Sequence, residues 1–231
     1  MKIASLILSF IIFSLSGSYA YDQSPVAVRG VLDLRQTSID EDFSVKLNGE
    51  WEFYWKKLLR PADLQSGELN PDLFGRVPSY WTGYPDDNIK TEPMGFATYR
   101  LKVILPPGFR QPLGFSMPVF DSSYDLYING QYLGGNGIPG KTEKETKPWY
   151  ERNFFRFDTG SDTLSIVVNV SNFSHRRGGF WLPVEMGSLE YAQKRFSGSL
   201  AKDWAIVSLL AGFSLFFLFF FIIYPRDRLI A

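Results

Sequence analysis

The segment Asn172-Phe-Ser-His175-Arg176-Arg177-Gly178-Gly179-Phe180-Trp181 concentrates the groups best suited to recognising a ligand. It holds an amide, the chain's single histidine, two adjacent guanidinium groups, a glycine pair and an indole. Guanidinium and amide groups suit hydroxyls and oxyanions, and an indole face suits an apolar C–H patch such as a sugar presents. Asn172, His175, Arg176, Arg177 and Trp181 are therefore the candidate ligand-binding residues, with Arg100 from another strand as a sixth. They are expected at one end of the fold, beside the strand of Arg100 or the loop 134–148. The same residue types also fit a purely structural corner, in which arginine ties down carbonyls and tryptophan plugs the core.

Other chemistry is harder to place. Gly135-Asn-Gly-Ile-Pro-Gly140-Lys141-Thr142 satisfies the spacing of a phosphate-binding loop letter by letter. Such a loop needs a buried parallel strand before it and a helix N-terminus facing the phosphates after it. The next residues, Glu143-Lys-Glu-Thr-Lys-Pro148, present no apolar face, so a surface loop after a hairpin is expected. Glycoside hydrolysis would need two carboxylates roughly 5–10 Å apart. Spacing pairs none of Asp86, Asp87, Glu92, Asp121, Asp125 or Glu185, and there is no Gly-x-Ser-x-Gly elbow. No catalytic residue and no enzymatic activity are expected. The chain has no cysteine and one histidine, which excludes a disulfide framework, a thiol nucleophile, an iron–sulfur cluster and a multi-histidine metal site. Neither metal nor cofactor is expected. Lys+Arg and Asp+Glu both total 24, so no bulk charge draws the chain to nucleic acid.

The elements that must position the candidate residues read as strands. From 96 to 105, Ala97, Tyr99, Leu101, Val103 and Leu105 alternate with Thr98, Arg100 and Lys102, which is the period of a half-buried strand. Tyr124–Ile128, Asn129-Gly130 and Gln131–Leu133 form a hairpin signal, because Asn-Gly accepts the positive φ of a tight turn. Thr163–Ser171 is β-branched and alternates again. Shorter strands are expected at 43–47, 51–55, 113–117, 154–157 and 181–185. Many short strands, turn-rich links and no helical period between 21 and 190 indicate an all-β, antiparallel sandwich rather than a βαβ sheet.

The two ends speak to location. Lys2, an apolar run to Leu15 and small residues at Ser18 and Ala20 have the layout of a cleavable secretory signal, expected over 1–20. Trp204–Tyr224 carries no charge, and at ~1.5 Å rise per residue it matches a bilayer core. Trp204 and Tyr224 suit the two interfaces, and Arg226 and Arg228 mark the cytoplasmic side. The expected division is a signal at 1–20, an extracytoplasmic domain at 21–188, a polar connector at 189–203 with a helical start, a transmembrane helix at 204–224, and a short cytoplasmic tail at 225–231. The expected localisation is a membrane crossed once with the N-terminal domain outside the cytoplasm; the bacterial inner membrane and the periplasm are what the family resemblance given next implies.

Taken in order, Leu47-Asn-Gly-Glu-Trp51-Glu-Phe53, Val77-Pro-Ser-Tyr-Trp81, Gly95-Phe-Ala-Thr-Tyr99-Arg100-Leu, Leu126-Tyr-Ile-Asn129-Gly130, Val168-Asn-Val-Ser-Asn172 and the His175/Gly178-Gly179 corner carry a resemblance. The series is similar to the galactose-binding-like jelly roll of the sugar-binding domains of β-galactosidase-type glycosidases. More closely, it resembles the first type of extracellular domain in the bacterial seven-transmembrane receptors with diverse intracellular signalling modules, over about residues 28–228. The resemblance implies a sensor of a small polar, carbohydrate-like ligand, feeding a seven-helix bundle and a cytoplasmic output such as a cyclase, kinase or phosphatase. The chain stops after what would be the first of seven spans. The partner is then either the remainder of such a receptor or a separately encoded signalling protein. The rival readings are an anchored sandwich that binds another envelope protein and, behind it, a carbohydrate-active enzyme.

Overall fold

Two ten-residue segments with largely alternating apolar residues pair along their whole length, and this pair forms the spine of the fold. In the computed structural model, which describes residues 24–65, 69–84, 89–120 and 122–223, Gly95–Ile104 lies antiparallel to Thr163–Asn172, from Ile104 opposite Thr163 to Gly95 opposite Asn172. Inward-pointing Ala97, Tyr99, Leu101 and Val103 are fully buried, as are Leu164, Val168 and Val170.

In chain order the strands are β1 Val31–Asp33, β2 Ser44–Lys46, β3 Gly49–Trp55, β4 Leu73–Val77, β5 Gly95–Ile104, β6 Leu113–Met117, β7 Ser123–Ile128, β8 Gln131–Asn136, β9 Asn153–Phe157, β10 Thr163–Asn172 and β11 Glu185–Ser188. One sheet has the order β4-β3-β5-β10-β7-β8, with β1 added parallel to β5. The other has the order β2-β11-β6-β9. The fold is an all-β sandwich with one C-terminal helix, α1 Leu189–Ile223.

Aromatic rings fill the space between the sheets. Phe180 lies at the centre, with its ring centroid 4.5 Å from Phe120, 5.4 Å from Trp51 and 5.5 Å from Tyr99, each edge to face. Edge-to-face packing of large rings gives a dense core without disulfides. The indole N–H of Trp51 donates to Leu47 O, so its one polar atom is satisfied inside the core. On the outer face of the larger sheet, Thr98 Oγ1 donates to Asn169 Oδ1 and accepts from the N–H of Leu59, and Asn169 Nδ2 donates to Leu59 O. This network fastens the 56–65 excursion over Tyr54 and Val167.

Two expectations are corrected. The strand expected at 181–185 forms instead at Glu185–Ser188, because Pro183 offers no N–H to a ladder and Trp181 is turned into the loop. The segment 189–203 is helical throughout, continuing without a break from Leu189 into the apolar stretch. At ~1.5 Å per residue the 35 residues of α1 extend about 52 Å. By length and composition its apolar part is sufficient to cross a membrane, and 201–223 is exposed along its length. The expected signal at 1–20, Tyr224 and the tail 225–231 lie outside the described residues, as do Asp86, Asp87 and Asp121.

Candidate functional site

The corner after β10 is held by its own amide. The Asn172 side chain is buried; its Nδ2 donates to Pro93 O and His175 O, and its Oδ1 accepts from the N–H of His175. His175 Nδ1 sits 2.9 Å from Arg177 O and 3.3 Å from Arg177 N. The two glycines let the chain press onto Trp81. A Cβ on Gly178 would lie 2.1 Å from the Trp81 ring, and Gly179 takes φ +120° with its own Cβ position 2.6 Å from Trp81 N. Trp81 is completely buried, so the ring cannot yield.

Outside this frame an aromatic–cationic stack projects. The Arg177 guanidinium carbon lies 5.0 Å from the Tyr80 ring centroid, and the Tyr80 ring stacks on Trp181 at 5.9 Å and 29°. Trp181 is half-buried, and its Nε1 donates to Phe120 O at 3.0 Å. Arg176 and Arg177 are both exposed. The structure thus gathers Asn172, His175, Arg177 and Trp181 around one loop, with Arg176 on its rim. The 134–148 loop adjoins them, since Ser171 Oγ donates to Gly140 O. Tyr80 completes the stack and comes from a loop 97 positions earlier than Arg177, with no local signal to link them.

Arg100 does not join this group. It lies on the outer face of the larger sheet, between Glu52 and Val167 on the neighbouring strands, with Nη1 3.4 Å from Glu52 Oε2. The hydroxyl of Tyr54 donates to the same carboxylate oxygen. Five residues separate Arg100 from Gly95 at the corner, about 16 Å along a strand. Further along the same face, half-buried Asp125 accepts from the Tyr132 hydroxyl at 3.2 Å. Burial raises its pKa above the usual carboxylate value, and the tyrosine hydrogen bond offsets only part of that.

The Gly135–Thr142 segment builds no phosphate cradle. It leaves β8, bridges back from Ile138 to Lys147, and its Lys141 N–H donates to the Glu145 side chain, with turns where a helix would be needed.

A concavity lies where α1 crosses the smaller sheet. Gly114 lacks a side chain there, and a Cβ at that point would lie 2.7 Å from Phe154 and 2.9 Å from Ala192. Ala192 therefore approaches the sheet closely, and Phe196 packs on Phe154 with centroids 5.6 Å apart. Arg195 reaches Glu185 at 3.6 Å and Ser44 Oγ at 3.4 Å. Arg152 holds Ser199 at 3.3 Å and forms an ion pair with Asp203. A cleft of about 280 Å³ remains between them, lined by Ser44, Ser116, Arg152, Glu185, Arg195 and Ser199 among others. Sequence reading missed it, because its residues come from β2, β6, the approach to β9, β11 and α1, five separate stretches.

Fold and site together define a β-sandwich head seated on a helix able to cross a membrane. No protein-family model matches the chain, and no curated protein sequence matches it. Among solved structures, the β-glucuronidase of Ruminococcus gnavus is similar over 72% of this chain and 30% of that one, with TM-score 0.50 and 12% identity. A GH2 β-galacturonidase from Eisenbergiella tayi, solved bound to galacturonate, is similar over 68% of this chain and 26% of that one, with TM-score 0.46 and 13% identity. The chain spans less than a third of the length of these enzymes. The first likeness shows the fold, a galactose-binding-like sandwich of the kind glycosidases carry.

Proposed function

We propose that this chain is the extracytoplasmic ligand-sensing part of a bacterial membrane signal-transduction receptor, taking a small polar, carbohydrate-like ligand and performing no catalytic step. The observation that carries this reading is the unbroken course of α1 from its seat on β6, β9 and β11 into the apolar stretch. A ligand moves such an element only by binding two arrangements of it unequally. The cleft beneath α1 meets that condition, because its polar walls are shared between the sheet and the helix. At the corner, the amide of Asn172 and the indole N–H of Trp181 are already taken by the carbonyls of Pro93, His175 and Phe120. What it still offers a ligand is Arg176 and the Arg177–Tyr80–Trp181 stack. The carbohydrate-like class is supported by the motif order and the sandwich fold. The orientation is supported by Arg226 and Arg228 after the span.

The test is a screen of mono- and oligosaccharides and sugar acids against the full chain in lipid nanodiscs, read by calorimetry. A hit should weaken about tenfold or more in Arg195→Gln or Glu185→Gln, the scale of a lost charged hydrogen bond, and little in Trp181→Ala. Loss in Trp181→Ala and Arg177→Ala alone would move the ligand to the corner. Saturable binding to no member of the set would overturn the carbohydrate-like assignment.

A further inference from the structure

The course of α1 decides which end of the sandwich faces the bilayer. Ala192 lies over Gly114, Phe196 over Phe154, and Ser199 and Asp203 meet Arg152. Because Gly114 pairs with Arg156 and Met117 with Asn153, this sequence of contacts runs toward the Met117/Asn153 end of the smaller sheet. The start of β7, the end of β8, the end of β10 and the start of β5 share that end, through Tyr124 opposite Asn136, Ser123 opposite Ser171, and Gly95 opposite Asn172.

Large apolar side chains collect there. Outside α1, eight are exposed among the described residues, and four of these lie at this end: Met94 at 50%, Ile138 at 51%, Trp149 at 60% and Tyr150 at 59%. Ile138 bridges to Lys147, and the Glu151 carbonyl is held by Asn136 at the end of β8, so the Trp149–Tyr150 segment is fixed to the same rim. Arg152 comes two residues after Tyr150 and is paired with Asp203, immediately before exposed Trp204 and the apolar run. Three residues of chain reach at most about 10 Å. The headgroup layer is about 5–7 Å deep on each side of the hydrocarbon core. Trp149 and Tyr150 are therefore within reach of that layer when α1 crosses the bilayer, and tryptophan and tyrosine are the side chains that favour it. Charge at this end is mixed with a small basic excess, since Lys90, Lys141, Lys144, Lys147, Arg176 and Arg177 lie among Glu92, Glu143, Glu145 and Glu151, so attraction to anionic lipid is a separate outcome of the test.

We propose that the rim carrying Met94, Ile138, Trp149 and Tyr150 rests in the headgroup region of the bilayer that α1 crosses, giving the head a second point of attachment. This rests on the reading of α1 as a membrane span. The hydrogen bond from Trp149 Nε1 to Glu151 fixes the polar edge of the ring and leaves its face for lipid. Attached at two points, the head cannot tilt freely about α1, and a change in its seating moves the helix instead.

The absence of cysteine makes the test direct. Single substitutions Trp149→Cys, Ile138→Cys, Tyr132→Cys and Phe213→Cys in the full chain would each carry an environment-sensitive dye. The protein is placed in zwitterionic phosphatidylcholine vesicles doped with lipid quenchers at headgroup or mid-bilayer depth. Dye at Phe213 should be quenched from mid-bilayer, and dye at Trp149 and Ile138 several-fold more by the headgroup quencher than dye at Tyr132, which is exposed on the outer sheet face. Quenching at Phe213 with none above the Tyr132 level at the rim would overturn the second attachment and leave the span standing. No quenching at Phe213 would overturn both. Rim quenching that requires anionic lipid, or shielding that appears only with an added envelope protein, would overturn the aromatic contact. With Trp149→Ala/Tyr150→Ala, quenching at Ile138 should fall toward the Tyr132 level; full retention would show that the pair does not hold the rim down.

Discussion

At the scale of single residues, the corner after β10 was legible in composition, while its geometry was not. Asn172, His175, Arg177 and Trp181 come together, but the ring that joins two of them, Tyr80, lies in a distant loop. Arg100 shares the strand that opens at the corner, yet the pleat and five residues of rise carry it to Glu52 on another face. Alternation alone placed Arg100 on the polar side of its strand but could not say how far along that face a partner lay. Asp125 stands out in the sequence only as one of several carboxylates, and its half-buried position beside Tyr132 gives it a definite effect on stability. Its folded pKa is raised by burial above the ordinary 3.8. A proton is then held more tightly in the folded chain than in the unfolded one. The resulting stabilisation is complete below about pH 4 and is lost as pH rises through the folded value. Asp125→Asn removes that loss. Urea unfolding at about pH 3.5 and 7 should show a larger gain, or a smaller fall, in stability toward pH 7 for the variant than for the parent. Equal pH responses would contradict the assignment.

At the scale of elements, the strands with ten-residue alternation and the Asn129-Gly130 hairpin were readable because each carries its own periodicity or turn chemistry. β1 and β4 were not, being short segments whose pairing is decided by neighbours far away in sequence. The helical course of 189–203 was hidden for a related reason. Its polar residues and Gly198 show no apolar stripe, and its partner surface is a notch at Gly114 in a strand. That notch gives an element-scale prediction. Gly114→Val places methyl groups where Phe154 and Ala192 already sit, an overpacking cost of about 1–3 kcal/mol. α1 should lift from the sheet, and limited trypsin treatment should cut after Lys194 or Arg195 several-fold faster than in the parent. Unchanged cleavage would mean that the helix is not held through this contact.

At the scale of the whole molecule, head and helix form one mechanical unit. The larger sheet takes its order from the long β5/β10 pair, the smaller sheet seats α1 through Gly114 and Phe154, and the Arg152–Asp203 pair fastens the helix just before its apolar run. Under the proposed sensing role no separate hinge would be needed between head and bilayer, because repacking of the cleft walls is itself a displacement of the helix. The central claim is that 189–203 is a rigid strut. Amide hydrogen exchange of the full chain in nanodiscs tests it most directly. The account predicts that amides from Tyr191 to Asp203 are protected in continuity with Glu185–Ser188 and with the span. Complete exchange of 189–203 at the earliest time point, between a protected sheet and a protected span, would contradict it.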